Sequence, residues 1–301
     1  LTAVDSVVMI IDATKGIEAQ TIKLFKVCRM RGIPIFTFIN KLDREGRDPL
    51  ELLEEIEQVL EIETYPMNWP VGMGKRFLGI IDRYNEQFIK YNGNEAETYI
   101  PYNELENGEH ESLITNPTYQ DTMDEVALLD EAGDDFSLDA VLSGEQTPVF
   151  FGSALAPFGV QTFFDTFISM APNPTPRKTT EGLVSPDEPN FSGFVFKIQA
   201  NMNARHRDRV AFLRVCSGKF ERGMSVKLSR TDKPIKLSQT QQFVASSRDT
   251  VEEAYAGDII GIYDPNAYRI GDTLIEGKHN FSYDELPQFP PELFKRVTAK
   301  N

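Results

Sequence analysis

Cysteine is nearly absent from this chain, which has 2 in 301 residues, and so are tryptophan (1) and histidine (3). Cys28 and Cys216 lie far apart in apolar settings, which excludes a disulfide framework or a zinc site and fits a reducing compartment. His110, His206 and His279 are too scattered to hold a metal, so none is expected. No apolar run approaches the roughly 18 residues of a membrane-spanning helix, and no basic-then-apolar leader follows Leu1. A cytoplasmic protein without a membrane partner is expected. Basic residues are missing from one whole segment: residues 91–145 hold 15 Asp and Glu and no Lys or Arg. Setting those aside leaves 31 of the 46 acidic residues against 31 Lys and Arg, so this segment carries the net charge of −15. It repels phosphate backbones, and it either docks on a basic protein surface or is a solvated acidic insert. With 41% hydrophobic and 26% charged residues the chain is not disordered, and its length sets two or three domains.

The stretch that organises the chain is 33–43, IPIFTFINKLD. Ile33 to Ile39 is apolar but for one Thr and rich in β-branched and aromatic residues, which predicts a buried strand. Asn40, Lys41 and Asp43 stand at its C-terminal end, where open α/β sheets bind ligands. They suit a guanine. The Asn amide can bond N7, the Lys stem can lie along the ring face, and the Asp carboxylate can accept from N1 and the exocyclic amine. Adenine lacks that donor pair and leaves the carboxylate unpaired. A polar helix-initiating loop is the other reading of the same residues.

Residues 4–11 predict a strand ending at Asp12, and 18–31 a helix with Ile17, Leu24, Phe25 and Cys28 on one side and Gly32 as C-cap. Strand, helix, strand gives parallel strands and a right-handed crossover, so Asp12 and Asn40 open on the same sheet edge. A second helix runs from its N-cap Asp48 to Leu60, with Pro49 in the first turn and Glu51 at the capping-box position. It buries Leu52, Leu53, Ile56, Val59 and Leu60. Short strands and turns are expected from Tyr65 on. Gly72, Gly74 and Lys75 do not make a phosphate loop, because Trp69 and Arg76 stand where Gly and Ser or Thr are required; a β-turn is expected. Asn116-Pro117 caps a helix that runs through Ala132. Pro148 to Phe151 form a third core strand, followed by Gly152-Ser153-Ala154-Leu155. Small residues there let the Ala154 amide reach guanine O6, although Ser-Ala-Leu alone also fits a plain strand-to-helix turn. A helix over Val160–Met170 buries Phe163, Phe164 and Phe167.

The PNPTP run at 172–176 is a stiff linker and a domain boundary. Beyond Phe191, short alternating runs separated by turn residues predict a small all-β barrel. Arg205, His206, Arg207 and Arg209 form its one basic cluster, which either meets a phosphate backbone or is a surface hairpin partly paired by Asp208.

Together these residues resemble the translational GTPases. Asn40-Lys41-Leu42-Asp43-Arg44 and Ser153-Ala154-Leu155 match the guanine motifs of that family. Asp12-Ala13, Gly16-Ile17-Glu18 and Gln20-Thr21 are similar to its third-strand region. Ser217-Gly218 to Gly223 and Ala256-Gly257-Asp258 are similar to its barrel domain. FSGFVFKIQANMNARHRDRVAFLRV and PELFK resemble the release-factor branch rather than elongation factor G. The resemblance implies an α/β plus β fold: a partial P-loop-type GTPase domain with a mostly parallel sheet over 1–62 and 146–172, and an acidic inserted α+β subdomain over 63–145. A linker at 173–190, a β-barrel over 191–281 and the start of a third domain at 282–301 follow.

The resemblance further implies GTP or GDP as ligand, with Mg²⁺ in the full-length parent, held by Asn40, Lys41, Asp43, Ser153, Ala154 and Leu155. It implies the ribosome and class I release factors as partners, with the barrel near rRNA and the acidic insert against a basic ribosomal protein. GTP hydrolysis then helps a class I factor leave after peptide release. A non-catalytic ribosome-docking module and an elongation-factor-G-like or ribosomal-protection GTPase are the alternatives. The family's GxxxxGK[ST] and DxxG loops, which hold phosphates and Mg²⁺ and position the attacking water, lie upstream of the residues matched here. No catalytic residue is assigned within the chain. With Leu1 in place of an initiator Met, a fragment that binds nucleotide weakly and does not hydrolyse it is expected.

Overall fold

The computed structural model describes residues 2–93, 97–105, 108–133, 135–200, 209–237, 240–244, 247–284, 295–296 and 298. Two compact units form, one from Asp5–Pro172 and one from Asn173 onward together with Thr2–Val4.

The first unit runs β1 (Val7–Asp12), α1 (Ala19–Met30), β2 (Ile35–Asn40), α2 (Pro49–Leu60) and β3 (Glu63–Pro66). It continues with β4 (Asn68–Val71), a 3-10 turn at Gly74–Arg76, β5 (Gly79–Asp82), β6 (Gln87–Lys90) and β7 (Thr98–Pro101). Next come α3 (Tyr102–Leu105), α4 (Glu111–Ile114), α5 (Pro117–Ala132), α6 (Leu138–Ser143), β8 (Gln146–Phe151) and α7 (Val160–Met170). The central sheet has the order β1-β2-β8-β3, all parallel. β2 and β8 are buried along almost their whole length, as parallel strands covered on both faces are, and apart from Thr37, Gln146 and Thr147 their buried residues are apolar. The one polar residue inside β2, Thr37, sits 2.9 Å from the Thr147 hydroxyl, which also lies 2.8 Å from the Ile35 carbonyl. That pair satisfies both buried hydroxyls and ties β2 to β8.

Asp48 caps α2 by accepting from the Leu50 and Glu51 amides (2.8 and 3.3 Å), which supplies partners for donors the helix leaves unpaired. Leu52, Leu53, Ile56 and Leu60 are buried, whereas Val59 is exposed. Of the stripe expected on α1, Phe25 and Cys28 are buried and Leu24 is exposed, being about 100° round the helix from Phe25.

Residues 63–66, expected in the insert, instead form the outer strand β3 of the central sheet by pairing with β8. Where β3 ends, the buried Asn68 side chain takes over its role. It accepts from the Phe151 amide at 2.7 Å and donates to the Phe151 carbonyl at 3.2 Å. The insert itself is an antiparallel sheet β4-β5-β6-β7 with α3 to α6. α5 starts at Asn116, whose side chain accepts from the Thr118 amide. Trp69 is fully buried edge-on against Phe151, so the insert and the central sheet share one hydrophobic core.

The second unit begins with a hairpin of β9 (Arg177–Thr179) and β10 (Gly182–Val184), inside the stretch expected to be only a linker. Ten further strands follow: β11 (Ser192–Ala200), β12 (Arg209–Ser217), β13 (Lys219–Glu221), β14 (Ser225–Leu228), β15 (Lys233–Lys236), β16 (Thr240–Val244), β17 (Ser247–Thr250), β18 (Glu253–Tyr255), β19 (Ile259–Tyr263) and β20 (Thr273–Ile275). Eight of them build an antiparallel sheet of order β15-β14-β20-β11-β12-β19-β16-β17, while β13 and β18 pair separately. Val195, Leu213, Val215, Phe220, Ile260 and Leu274 line its core. The buried Arg214 donates to the Ala3 carbonyl at 2.6 Å, which ties residues 2–4 to this unit. Tyr283 is buried and bonds Ser192, so the unit runs past the boundary expected at 281. Most of the expected third domain, 282–301, lies outside the described residues.

Candidate functional site

β2 and β8 pair in the register Ile39↔Phe151, so their C-terminal loops leave the sheet side by side. The loops are laced together: the Gly152 amide donates to the Ile39 carbonyl at 3.0 Å, and the Leu42 amide to the Gly152 carbonyl at 3.3 Å. A Cβ at Gly152 would stand 2.6 Å from the Phe158 carbonyl oxygen and 2.8 Å from the Phe38 ring, so this close approach requires glycine. Ser153 and Phe158 close the second loop by exchanging two backbone hydrogen bonds.

Asn40 ends β2. Its Oδ1 accepts from the Lys41 amide at 2.8 Å and from the Ala154 amide at 3.0 Å, which bridges the two loops. Lys41 is in the left-handed region (φ 78°), which turns the chain off the strand. The Ala154 amide, expected free for a ligand carbonyl, is thus donated to Asn40. With its oxygen occupied, Asn40 has the two Nδ2 hydrogens left to offer. Asp43 Oδ1 accepts from the Ser153 hydroxyl at 2.5 Å. The buried Ser153 oxygen in turn accepts from the Leu155 and Ala156 amides, both at 3.2 Å. The Leu155 side chain is exposed, so Leu155 contributes through its backbone.

Asp12 enters this constellation without having been expected to act in it. It sits beside Asn40 in the β1–β2 register, and Lys41 Nζ reaches its Oδ2 at 2.6 Å. The amide and hydroxyl of Thr14 donate to Oδ1 at 2.9 and 2.7 Å. Lys41 first, then Thr14, hold the Asp12 carboxyl well below the usual carboxylate range, against the opposing effect of burial. The signal available in the sequence was an acidic residue at the end of one parallel strand, level with an Asn-Lys pair at the end of the next.

The arrangement has defined chemistry. A mostly buried carboxylate (Asp43, side chain 16% exposed) is fixed at Oδ1 by a hydroxyl, has the exposed Arg44 guanidinium 3.7 Å from Oδ2, and can accept N–H donors at its remaining lone pairs. An oriented amide stands at Asn40. The aliphatic stem of Lys41, a side chain 45% exposed, is anchored at its ammonium end. Planar recognition of a base edge carrying two adjacent N–H donors and nearby acceptors is what such a set performs.

The basic cluster of the second unit lies mainly outside the described residues, as Arg205, His206 and Arg207 do. Arg209 is described. Its guanidinium pairs with the buried Asp264 carboxylate at 3.0 Å and donates to Asn266 Oδ1 at 2.5 Å. Among the described residues no group of three or more His, Cys, Asp and Glu could hold a metal ion, and no helix is long and apolar enough to cross a membrane.

Comparison with known proteins gives two family matches. The elongation factor Tu GTP binding domain matches residues 1–173, and elongation factor G domain 2 matches residues 190–277. A protein named peptide chain release factor 3 from Listeria welshimeri is 59% identical over 302 aligned residues, which cover 100% of this chain and 58% of the relative. Proteins of the same name from Enterococcus faecalis (61% over 304) and Streptococcus thermophilus (58% over 302) show the same coverage. The chain therefore spans 58% of the length of the curated relatives it matches.

Proposed function

This chain belongs to the translational GTPase family of the elongation factor Tu GTP binding domain, and we propose that it is the base-reading and β-barrel part of a peptide chain release factor 3. In that reading the whole protein hydrolyses GTP on the ribosome and helps a class I release factor leave after peptide release. The relatives named peptide chain release factor 3, at about 59% identity along the whole chain, support the choice within the family.

The observation that carries the guanine-specific reading is the pair of bridges between the two loops, Asn40 Oδ1 to the Ala154 amide and Asp43 Oδ1 to the Ser153 hydroxyl. Asp43 accepts from guanine N1 and its exocyclic amine. Asn40 Nδ2 donates to N7, the Lys41 stem covers the ring face, and the Ala154 amide is shared between Asn40 and O6. Adenine offers no donor pair to Asp43 and leaves a desolvated carboxylate unpaired, which is a larger penalty than one missing contact. In this reading the metal and the phosphates of GTP are held by the family's GxxxxGK[ST] and DxxG loops rather than by the base-reading residues described here. One good bidentate base contact discriminates by ~1–3 kcal/mol. The 301-residue polypeptide alone therefore binds GTP weakly and does not hydrolyse it. The eight-stranded sheet of the second unit faces the ribosome in this reading, and the acidic insert meets a basic ribosomal protein.

The deciding experiment uses the full-length protein in a ribosome recycling assay with a class I release factor and GTP. Faster departure of that factor, abolished by a non-hydrolysable GTP analogue, is the expected result. Unchanged departure overturns the release-factor reading. A calorimetric titration of residues 1–301 that gives micromolar GTP affinity overturns the weak-binding part alone.

A further inference from the structure

The inserted subdomain touches both base-reading loops, partly through the shared core and partly through hydrogen bonds. Trp69 and Phe151 already join the insert to the central sheet. Three further contacts fall on the loops themselves. The Gly74 amide, in the turn after β4, donates to the Leu42 carbonyl at 3.0 Å, within the Asn40–Asp43 motif. Gly74 has φ 56°, and a Cβ there would stand 3.0 Å from the Glu45 amide nitrogen and 3.2 Å from the Arg44 carbonyl carbon. Both are backbone atoms that cannot swing aside. On the other loop, the Phe77 ring stacks on Phe158 with centroids 4.0 Å apart, and Tyr91 packs on the same ring at 5.2 Å. Phe158 is the residue whose backbone closes the loop onto Ser153. Glu97, just before β7, accepts from the Gly159 amide at 3.1 Å, at the start of α7. The second oxygen of Glu97 is held by the Tyr99 hydroxyl at 3.1 Å. A carboxylate at that helix end also meets the favourable end of the helix dipole.

We propose that Gly74, Phe77 and Glu97 of the insert are positioning residues for guanine: they brace the Asn40–Asp43 loop and the Ser153–Gly159 loop at the separation the base needs. The inference rests on the guanine reading given above. Its physical basis is the tolerance of such a site. Planar, bidentate recognition is lost when the reading groups move by a fraction of an ångström to an ångström, so supports on each loop beyond the bonds that join the two bear directly on it. The insert supplies a third support for each loop. Anything that draws the insert away from the sheet thereby loosens base recognition before it touches the base.

The test uses the full-length protein and compares GDP with inosine diphosphate, whose base lacks the exocyclic amine that Asp43 accepts. Gly74→Ala and Glu97→Ala are each expected to weaken GDP by about tenfold, the size of one lost hydrogen bond, and to weaken inosine diphosphate less, so that the preference for guanine shrinks. Glu97→Gln, which keeps an acceptor for the Gly159 amide, is expected to restore both values. Glu97→Ala decides the matter where Gly74→Ala does not fold. A brace that is only structural lowers the melting temperature and weakens both nucleotides in equal proportion; that result overturns the inference. So does wild-type affinity for both nucleotides in a preparation where Asp43→Asn abolishes the guanine preference. If Asp43→Asn also leaves that preference intact, it is the guanine reading that fails.

Discussion

The Ser153 hydroxyl donates to Asp43 Oδ1 at 2.5 Å, joining residues 110 positions apart at the ends of adjacent parallel strands. The same oxygen accepts two backbone amides, so its position is fixed from below. Removing it releases the carboxylate and leaves those amides without their acceptor. A hydrogen bond to a charged group contributes about 1.5–3 kcal/mol, so Ser153→Ala in the full-length protein should weaken GDP by roughly ten- to a hundredfold. Isothermal calorimetry measures it, and affinity within twofold of wild type would contradict the assigned role.

Asp43→Asn replaces an acceptor-only group with one that also donates. With its oxygen on N1–H, the amide then turns a donor toward the exocyclic amine of guanine, which is also a donor, whereas xanthine, with a carbonyl at that position, finds a partner. The variant should lose GDP affinity and gain affinity for xanthosine diphosphate. Competition between the two nucleotides reads the exchange directly. A variant that still prefers GDP at the wild-type ratio removes Asp43 from base reading.

Asp12 and Lys41 predict a pH effect of defined sign. The Asp12 carboxyl lies below its ordinary 3.8 in the folded chain, chiefly through Lys41. The pair therefore adds stability above about pH 4 and loses it as the pH falls through the depressed folded value. The stability gap between wild type and Asp12→Asn should stay level from neutrality to about pH 4 and then close. It should also shrink with added salt, because the Lys41 side chain is nearly half exposed. Denaturant titrations of the 301-residue chain at several pH values test this, and a gap that persists unchanged at pH 2 rules it out.

The parts legible in the sequence were those specified locally. The strand over Ile35–Asn40 follows from an apolar run, the start of α2 from Asp48-Pro49, and the start of α5 from Asn116-Pro117. The meeting of the Asn40–Asp43 and Ser153–Leu155 loops was legible because each is a short motif at the end of a buried strand. What escaped was decided by partners distant in sequence. Glu63–Pro66 carries no alternating pattern and a proline, yet it joins the central sheet through β8, some 80 positions away. Asn68 reads as a turn residue, and only the fold shows its amide standing in for a strand backbone. Asp12 acquires its role from a register with β2, and Arg209 loses its freedom to the buried Asp264. The hairpin at 177–184 was hidden behind the prolines that precede it.

Trp69 and Glu125 give the last prediction, a pH dependence of the opposite sign to that of Asp12. The indole N–H of the fully buried Trp69 donates to Glu125 Oε2 at 2.8 Å. Burial pushes the Glu125 carboxyl above its ordinary 4.5; Trp69 pulls it partly back, and Asp48 and Asp121 push it further up. A carboxyl raised by folding favours the folded state while protonated, so its contribution is present below pH 4.5 and lost as the pH rises through the folded value. At neutral pH the protein thus holds a desolvated charge with one good donor. Glu125→Gln keeps the acceptor for Trp69 without the charge. It should raise the melting temperature at pH 7, with the gain vanishing below about pH 4.5, where wild type is itself neutral. Glu125→Leu removes the acceptor as well and leaves the indole N–H unpaired, a cost of about 1–3 kcal/mol, so it should be less stable than Glu125→Gln at every pH. Thermal melts of the three proteins between pH 4 and 8 decide the point. A Gln variant less stable than wild type at pH 7 would show that the charge on Glu125, rather than its hydrogen bond, holds α5 against Trp69 within the insert.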